Sequence, residues 1–89
     1  MREAESTAAR RTDREIQDWL LSYLGQLLEL DVDQIEVGDS FASYGLDSSA
    51  AVGMVGDLEA WLNRKLDAEL MYRHPTIETL SRYLASEAI

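Results

Sequence analysis

Apolar residues recur at spacings of three and four over three stretches of this chain. The first and clearest runs through Ile16, Trp19, Leu20, Tyr23, Leu24, Leu27 and Leu28. It is one broad stripe, the pattern of an amphipathic helix. Thr12-Asp13-Arg14-Glu15 precedes it in the form of a capping box, in which a threonine or aspartate oxygen takes a free helix N–H and Glu15 reaches back. The helix is predicted to end near Leu28–Leu30. Ala51, Val55, Leu58, Leu62 and Leu66 make a second inward stripe, starting from Asp47 or Ser48. Asp47 is a good N-cap, and its charge suits the positive helix end. Asn63-Arg64-Lys65 breaks the pattern, and Ala68 to Tyr72 fits one short helical turn. Pro75 disfavours helix at His74, and Thr76 can cap a helix that starts after it. Ile77, Leu80, Tyr83 and Leu84 give the third stripe, predicted to end near Ala88. No period-two run is bounded by turns, so no sheet is expected.

Between the first two stripes lies a connection of sixteen residues, 31–46. Asp33, Asp39 and Ser40 are turn or cap residues. A loop this long in a small domain packs its own side chains or carries function. Val32, Ile35 and Phe41 are the expected anchors to the core. The predicted fold is all-α: a small four-helix bundle of three main helices and one short one, with a long first loop. Residues 1–11 show no apolar period and read as a tail or linker, which leaves 12–89 as the folded domain.

The length of 89 residues allows one domain and little room for a deep internal active site. The net charge of −9 is uneven. Residues 1–15 balance four arginines against four acids, and the other 74 residues carry the whole excess. Such a surface repels nucleic acid and anionic membrane, and no apolar run is long enough for a transmembrane helix. No signal-peptide pattern is present at the N-terminus. There is no cysteine, which removes a disulfide framework, a thiol nucleophile and a thiolate metal site. A cytoplasmic location fits.

The chemistry narrows to Ser48. As a hydrolase nucleophile it would need a base and an orienting acid, yet His74 is the only histidine and sits beside a proline in a turn. One histidine without cysteine makes a transition-metal site improbable. Asp31, Asp33 and Asp39 do not fit an EF-hand loop. Ser48 to Leu62 carries no Lys or Arg, unlike a DNA recognition helix. Trp19 lies on the apolar stripe and reads as core, whereas Trp61, beside the inward Leu62, leaves a contact role open. Gly53 and Gly56 fall off the inward stripe, near Ser49 and Ala60. They are either tolerated drift or a smooth helix face for another protein. A hydroxyl at the first turn of a helix, where N–H groups point outward, suits an attached phosphodiester. The absent thiol would then come with the attached group.

The run Phe41-Ala42-Ser43-Tyr44-Gly45-Leu46-Asp47-Ser48 resembles the acyl carrier protein family, whose loop ends in Gly-x-Asp-Ser. Leu58-Glu59-Ala60-Trp61-Leu62 and His74-Pro75-Thr76-Ile77 extend the resemblance over Ile16 to Ala88. It is closest to the carrier domains of polyketide synthases. Leu46 is unlike the second glycine common in peptide-synthetase carriers. The Tyr44-Gly45 pair and the Ser49-Ala50-Ala51-Val52 run also look like carriers that work beside fatty acyl-AMP ligases. The resemblance implies that Ser48 receives 4′-phosphopantetheine from coenzyme A through a phosphopantetheinyl transferase, with Asp47 flanking it and helping that contact. It implies a non-catalytic, monomeric domain that carries acyl groups as thioesters in polyketide or lipid biosynthesis. Its partners would be the transferase, an acyl-loading enzyme (acyltransferase or fatty acyl-AMP ligase) and a ketosynthase or other synthase domain. They would meet the domain at Leu46, Ser49, Val52, Gly53 and Gly56. Ser49 departs from the family's usual leucine or methionine, and the acid-poor second helix departs from fatty-acid carriers. Docking is therefore expected to depend more on shape than on charge. A peptidyl carrier domain and an unmodified helical interaction module are the alternatives.

Overall fold

A computed structural model describes residues 11–67 and 69–87. Four α-helices are seen among them: α1 (Asp13–Leu28), α2 (Ser48–Leu62), α3 (Leu70–Arg73) and α4 (Ile77–Glu87). Among the described residues the only strand-like pairing is an isolated bridge between Ser40 and Thr76. The bundle is all-α, as the patterning predicts. The tail expected at residues 1–11 lies outside the described residues except for Arg11, and so do Ala68 and Ala88, to which the predicted short turn and last helix reached.

α1 begins with the predicted capping box. The Thr12 hydroxyl accepts the Glu15 N–H at 3.1 Å, and Glu15 accepts the Thr12 N–H at 2.9 Å. Ile16, Leu20 and Leu24 are fully buried, one turn apart, and form the α1 side of the core. Leu27, expected on the same stripe, is 46% exposed. At 100° per residue Leu27 lies at an azimuth between Ile16 and Leu20, so its exposure comes from its place in the last turn of α1 and not from its angle. Trp19 is half-buried rather than core: it stacks between Tyr23 and Trp61, with ring centroids 5.1 and 5.4 Å away. Trp61 is thus taken up within the bundle. The Arg11 guanidinium lies 4.5 Å over its ring, a cation–π contact. Trp19 meets Trp61 and Tyr23 bonds Asp57, so α1 and α2 run antiparallel.

α2 buries Met54, Val55, Leu58 and Leu62. Met54 fills the core one position from the predicted stripe, and Ala51 is only half-buried. The helix stops at Asn63, whose φ of 57° makes it a left-handed cap. Leu66 therefore lies beyond the helix on which the stripe placed it. Its N–H donates to Glu59 at 2.7 Å, which holds it half-buried. In α4 the inward row is Ile77, Leu80, Ser81 and Leu84. Tyr83, predicted inward, is half-buried against the core and stacks on His74 at 4.3 Å. Ser81 tolerates full burial because its hydroxyl donates to the Glu78 carbonyl at 3.1 Å. Thr76 caps α4, taking the Thr79 N–H at 3.0 Å.

The long connection is pinned rather than loose. It holds two short 3-10 turns, Val32–Gln34 and Phe41–Tyr44. Ile35 and Phe41 are buried anchors, but Val32 is 47% exposed. Val32 opens the first turn and lies against the edge of α1 at Gly25, where an added Cβ would meet its Cγ1 at 3.5 Å. The connection is also tied to the start of α4: Phe41 N–H donates to Pro75 at 2.8 Å, and Glu78 N–H donates to Val37 at 3.0 Å. The Tyr44 hydroxyl accepts the Glu36 N–H at 2.7 Å.

No Lys or Arg occurs between Arg14 and Arg64. With α1 and α2 antiparallel, Arg11, Arg14, Arg64 and Lys65 gather at one end of the bundle. Glu29, Asp31, Asp33, Glu36, Asp39 and Asp47 lie toward the other.

Candidate functional site

Ser48 is the first residue of α2, and the local sequence accounts for its presentation. Ser40 caps the second 3-10 turn by taking the Ser43 N–H at 3.1 Å. That turn ends at Gly45, where φ is 80°, a conformation that costs a side-chain-bearing residue but not glycine. Gly45 reverses the chain, its N–H bonded to Ala42 at 3.0 Å. Leu46 then turns inward and packs against the core, and Asp47 is extended. The Asp47 carboxylate accepts the Ala50 N–H at 2.9 Å, and its carbonyl accepts the Ala51 N–H at 2.9 Å. Asp47 is therefore the N-cap, as predicted.

Ser48 and Ser49 are both exposed. Their backbone N–H groups have no acceptor among the described residues. These are the orphan donors of a helix start, and they favour an anion at the Ser48 hydroxyl. His74, the one histidine, has its ring stacked on Tyr83.

The other sequence-predicted contact residues divide. Ser49, Val52, Gly53 and Gly56 are exposed on α2, with Val52 59% accessible. A Cβ on Gly53 or Gly56 would meet nothing within 4 Å, so packing does not require either glycine. Leu46 instead lines a cleft of about 170 Å³ between the second 3-10 turn, the start of α2 and α3. Phe41 and Met71, both buried, lie at its base, and Asp47, Ala51 and Tyr72 also line it. Tyr72 is absent from the residues that the sequence pattern marks, yet it is 74% exposed and stands at this cleft. A signal was present: Leu70, Met71 and Tyr72 are consecutive, and three consecutive helical side chains cannot all face inward.

This geometry agrees with what the chain is similar to. Residues 18–84 match the family described as "Phosphopantetheine attachment site". The chain is 33% identical over 76 residues to the acyl carrier protein TtuC of Teredinibacter turnerae, covering 85% of this chain and 87% of that protein. An acyl carrier protein of Anabaena with a variant phosphopantetheinylation-site sequence superposes with a TM-score of 0.84 at 35% identity, covering 89% of this chain and 90% of that one. A free-standing peptidyl carrier protein of Acinetobacter baumannii gives 0.82 at 29% identity, covering 88% and 98%. The polyketide synthases it matches are far longer: the chain spans 2% of one from Bacillus subtilis and 4% of one from Mycobacterium tuberculosis. The chain belongs to the phosphopantetheine-binding carrier family. It is an acyl carrier domain of a family whose members hold a 4′-phosphopantetheine prosthetic group.

The residues at the start of α2 fit such a group. An unhindered hydroxyl stands beside two free N–H donors, which suit a phosphodiester. When bound, the group supplies a thiol that holds acyl chains as thioesters. Ser48 would offer the attachment oxygen, and the Asp47 cap would fix the helix end behind it.

Proposed function

We propose that Ser48 is the residue to which the phosphopantetheine arm is joined, and that the folded unit is residues 12–89. The observation that carries this is the exposed Ser48 hydroxyl on a helix start fixed by the Gly45 turn and by the Asp47 cap, whose carboxylate takes the Ala50 N–H. Asp47 holds the first turn and faces the phosphopantetheinyl transferase that delivers the arm from coenzyme A. The domain itself is not a catalyst. An acyl-loading enzyme charges the thiol, and a ketosynthase or another synthase domain unloads it. Ser49, Val52, Gly53 and Gly56 form the face those enzymes meet. We place the domain in the cytoplasm, where coenzyme A is at hand. In support, no helix among the described residues is long and apolar enough to cross a membrane.

The test is intact mass after incubation with coenzyme A and a broad-specificity transferase. One phosphopantetheine is added to the wild type and none to Ser48→Ala. A folded wild type that stays unmodified would overturn the proposal and favour an unmodified helical interaction module. The likeness to a peptidyl carrier protein supports a second reading, a peptide-synthetase carrier. Loading by acyl-adenylates rather than by amino-acid-selective adenylation domains separates the two.

A further inference from the structure

The connection before Ser48 is closed by a side chain as well as by its backbone. Glu36, Val37, Gly38 and Asp39 make a tight turn, in which the Asp39 N–H donates to the Glu36 carbonyl at 3.1 Å. The Val37 carbonyl of that turn takes the Glu78 N–H at the start of α4. Tyr44, the last residue of the second 3-10 turn, reaches back to it. The Tyr44 hydroxyl accepts the Glu36 N–H at 2.7 Å. It can donate in turn to the Asp39 carboxylate at 3.3 Å or to the Glu36 carbonyl at 3.4 Å. One phenol therefore holds both ends of the turn. The Asp31–Gln34 and Ser40–Ser43 side-chain bonds each stay within a single turn, whereas this one spans eight residues. The Tyr44 ring is half-buried against the core, so packing seats the ring and the hydroxyl is free to do a separate job. Gly45, which reverses the chain toward Ser48, follows directly. The Asp47 cap fixes the helix side of the serine, and Tyr44 fixes the approach to it.

We propose that the Tyr44 hydroxyl is a positioning group for the modification of Ser48. It clasps the turn at 36–39 to the second 3-10 turn and keeps the approach to α2 in the one arrangement on which a transferase docks. This rests on attachment at Ser48. Tyr44 does not touch the reacting oxygen and acts through the connection. Without the hydroxyl the connection opens for part of the time, and only the closed fraction is competent. A competent fraction of about one third raises the apparent KM for the carrier about three-fold and leaves turnover of the bound complex unchanged.

The experiment follows arm transfer from coenzyme A by intact mass against time, with a broad-specificity transferase and the carrier concentration varied. Tyr44→Phe is expected to raise KM about three-fold and to hold kcat within about two-fold. Tyr23→Phe removes the same kind of hydroxyl bond from the contact between α1 and α2 and is expected to leave KM unchanged. Amide exchange read by NMR needs no transferase: the Glu36 N–H is protected in the wild type and exchanges several-fold faster in Tyr44→Phe. A Glu36 amide that is unprotected in the wild type overturns the clasp. Faster exchange with an unchanged KM overturns its positioning role and leaves attachment at Ser48 standing. An equal rise in KM for Tyr23→Phe also overturns it, since general loosening would then explain the effect. A folded wild type that takes no arm overturns attachment and positioning together.

Discussion

Three residues decide how the first turn of α2 is held and how α1 grips it. Asp47 satisfies one of the free N–H groups of the helix start. Asp47→Ala is expected to cost about 1 kcal/mol, a fall of about 4–8 °C in melting temperature for a domain of this size, read by thermal denaturation. Modification of Ser48 in that variant slows further than the stability loss explains, because the hydroxyl is then carried on a fraying turn. Tyr23 donates to the Asp57 carboxylate at 2.9 Å. Burial first, then this bond and the charge of Asp57, raise its pKa above 10.0. The neutral phenol is thus favoured in the folded state. Its contribution is complete below the unfolded pKa and is lost as pH rises through the folded one. Tyr23→Phe should cost roughly 0.5–1 kcal/mol at neutral pH and flatten the stability loss above about pH 10, which denaturant midpoints across that range would show.

At the level of elements, Gly53 and Gly56 are the informative weakness of α2. Neither is needed for packing, and each costs the helix roughly 0.8–1 kcal/mol relative to alanine. Gly53→Ala and Gly56→Ala should each raise the denaturation midpoint. If the bare face serves partner contact, the same variants load more slowly, measured as acylated mass against time. Gain in stability with unchanged loading would reduce the two glycines to tolerated drift. The elements themselves were largely legible from spacing. α1 and its capping box, the Asp47 cap and the Thr76 cap follow from side-chain chemistry confined to four or five residues. The failures came where tertiary packing chose among apolar residues. Leu27 satisfies the helical period and is still exposed, whereas Met54 and Ser81 turn inward. Val32 has the apolar side chain of an anchor, but a 3-10 turn left it at the rim. Tyr72 was invisible as a site residue because its exposure depends on how a four-residue helix lies on the bundle.

For the whole molecule, the small core leaves little reserve. Leu20 and Leu80 are fully buried on α1 and α4, and either to alanine should cost about 2–5 kcal/mol, a large share of the stability of so short a chain. Chemical denaturation of Leu20→Ala would show it as a large drop in midpoint, and an unchanged midpoint would mean that α1 does not hold the core described. Arg11, the residue before the α1 cap, is tied to the bundle through Trp61. Arg11→Ala should lose that contact at a cost of about 0.5–1 kcal/mol.

The base-free run from Glu15 to Asn63 has a kinetic consequence. With Arg11, Arg14, Arg64 and Lys65 at one end and the loop acids at the other, the end that carries Ser48 is the more negative one. An approaching enzyme with a positive surface turns that end toward itself before any contact forms. Charge then sets how often a collision is correctly oriented, while the uncharged face of α2 sets how long the pair stays together. Because docking on that face depends more on shape than on charge, added salt should slow association only modestly and leave dissociation nearly unchanged. Two copies of the domain meeting by their negative ends would repel.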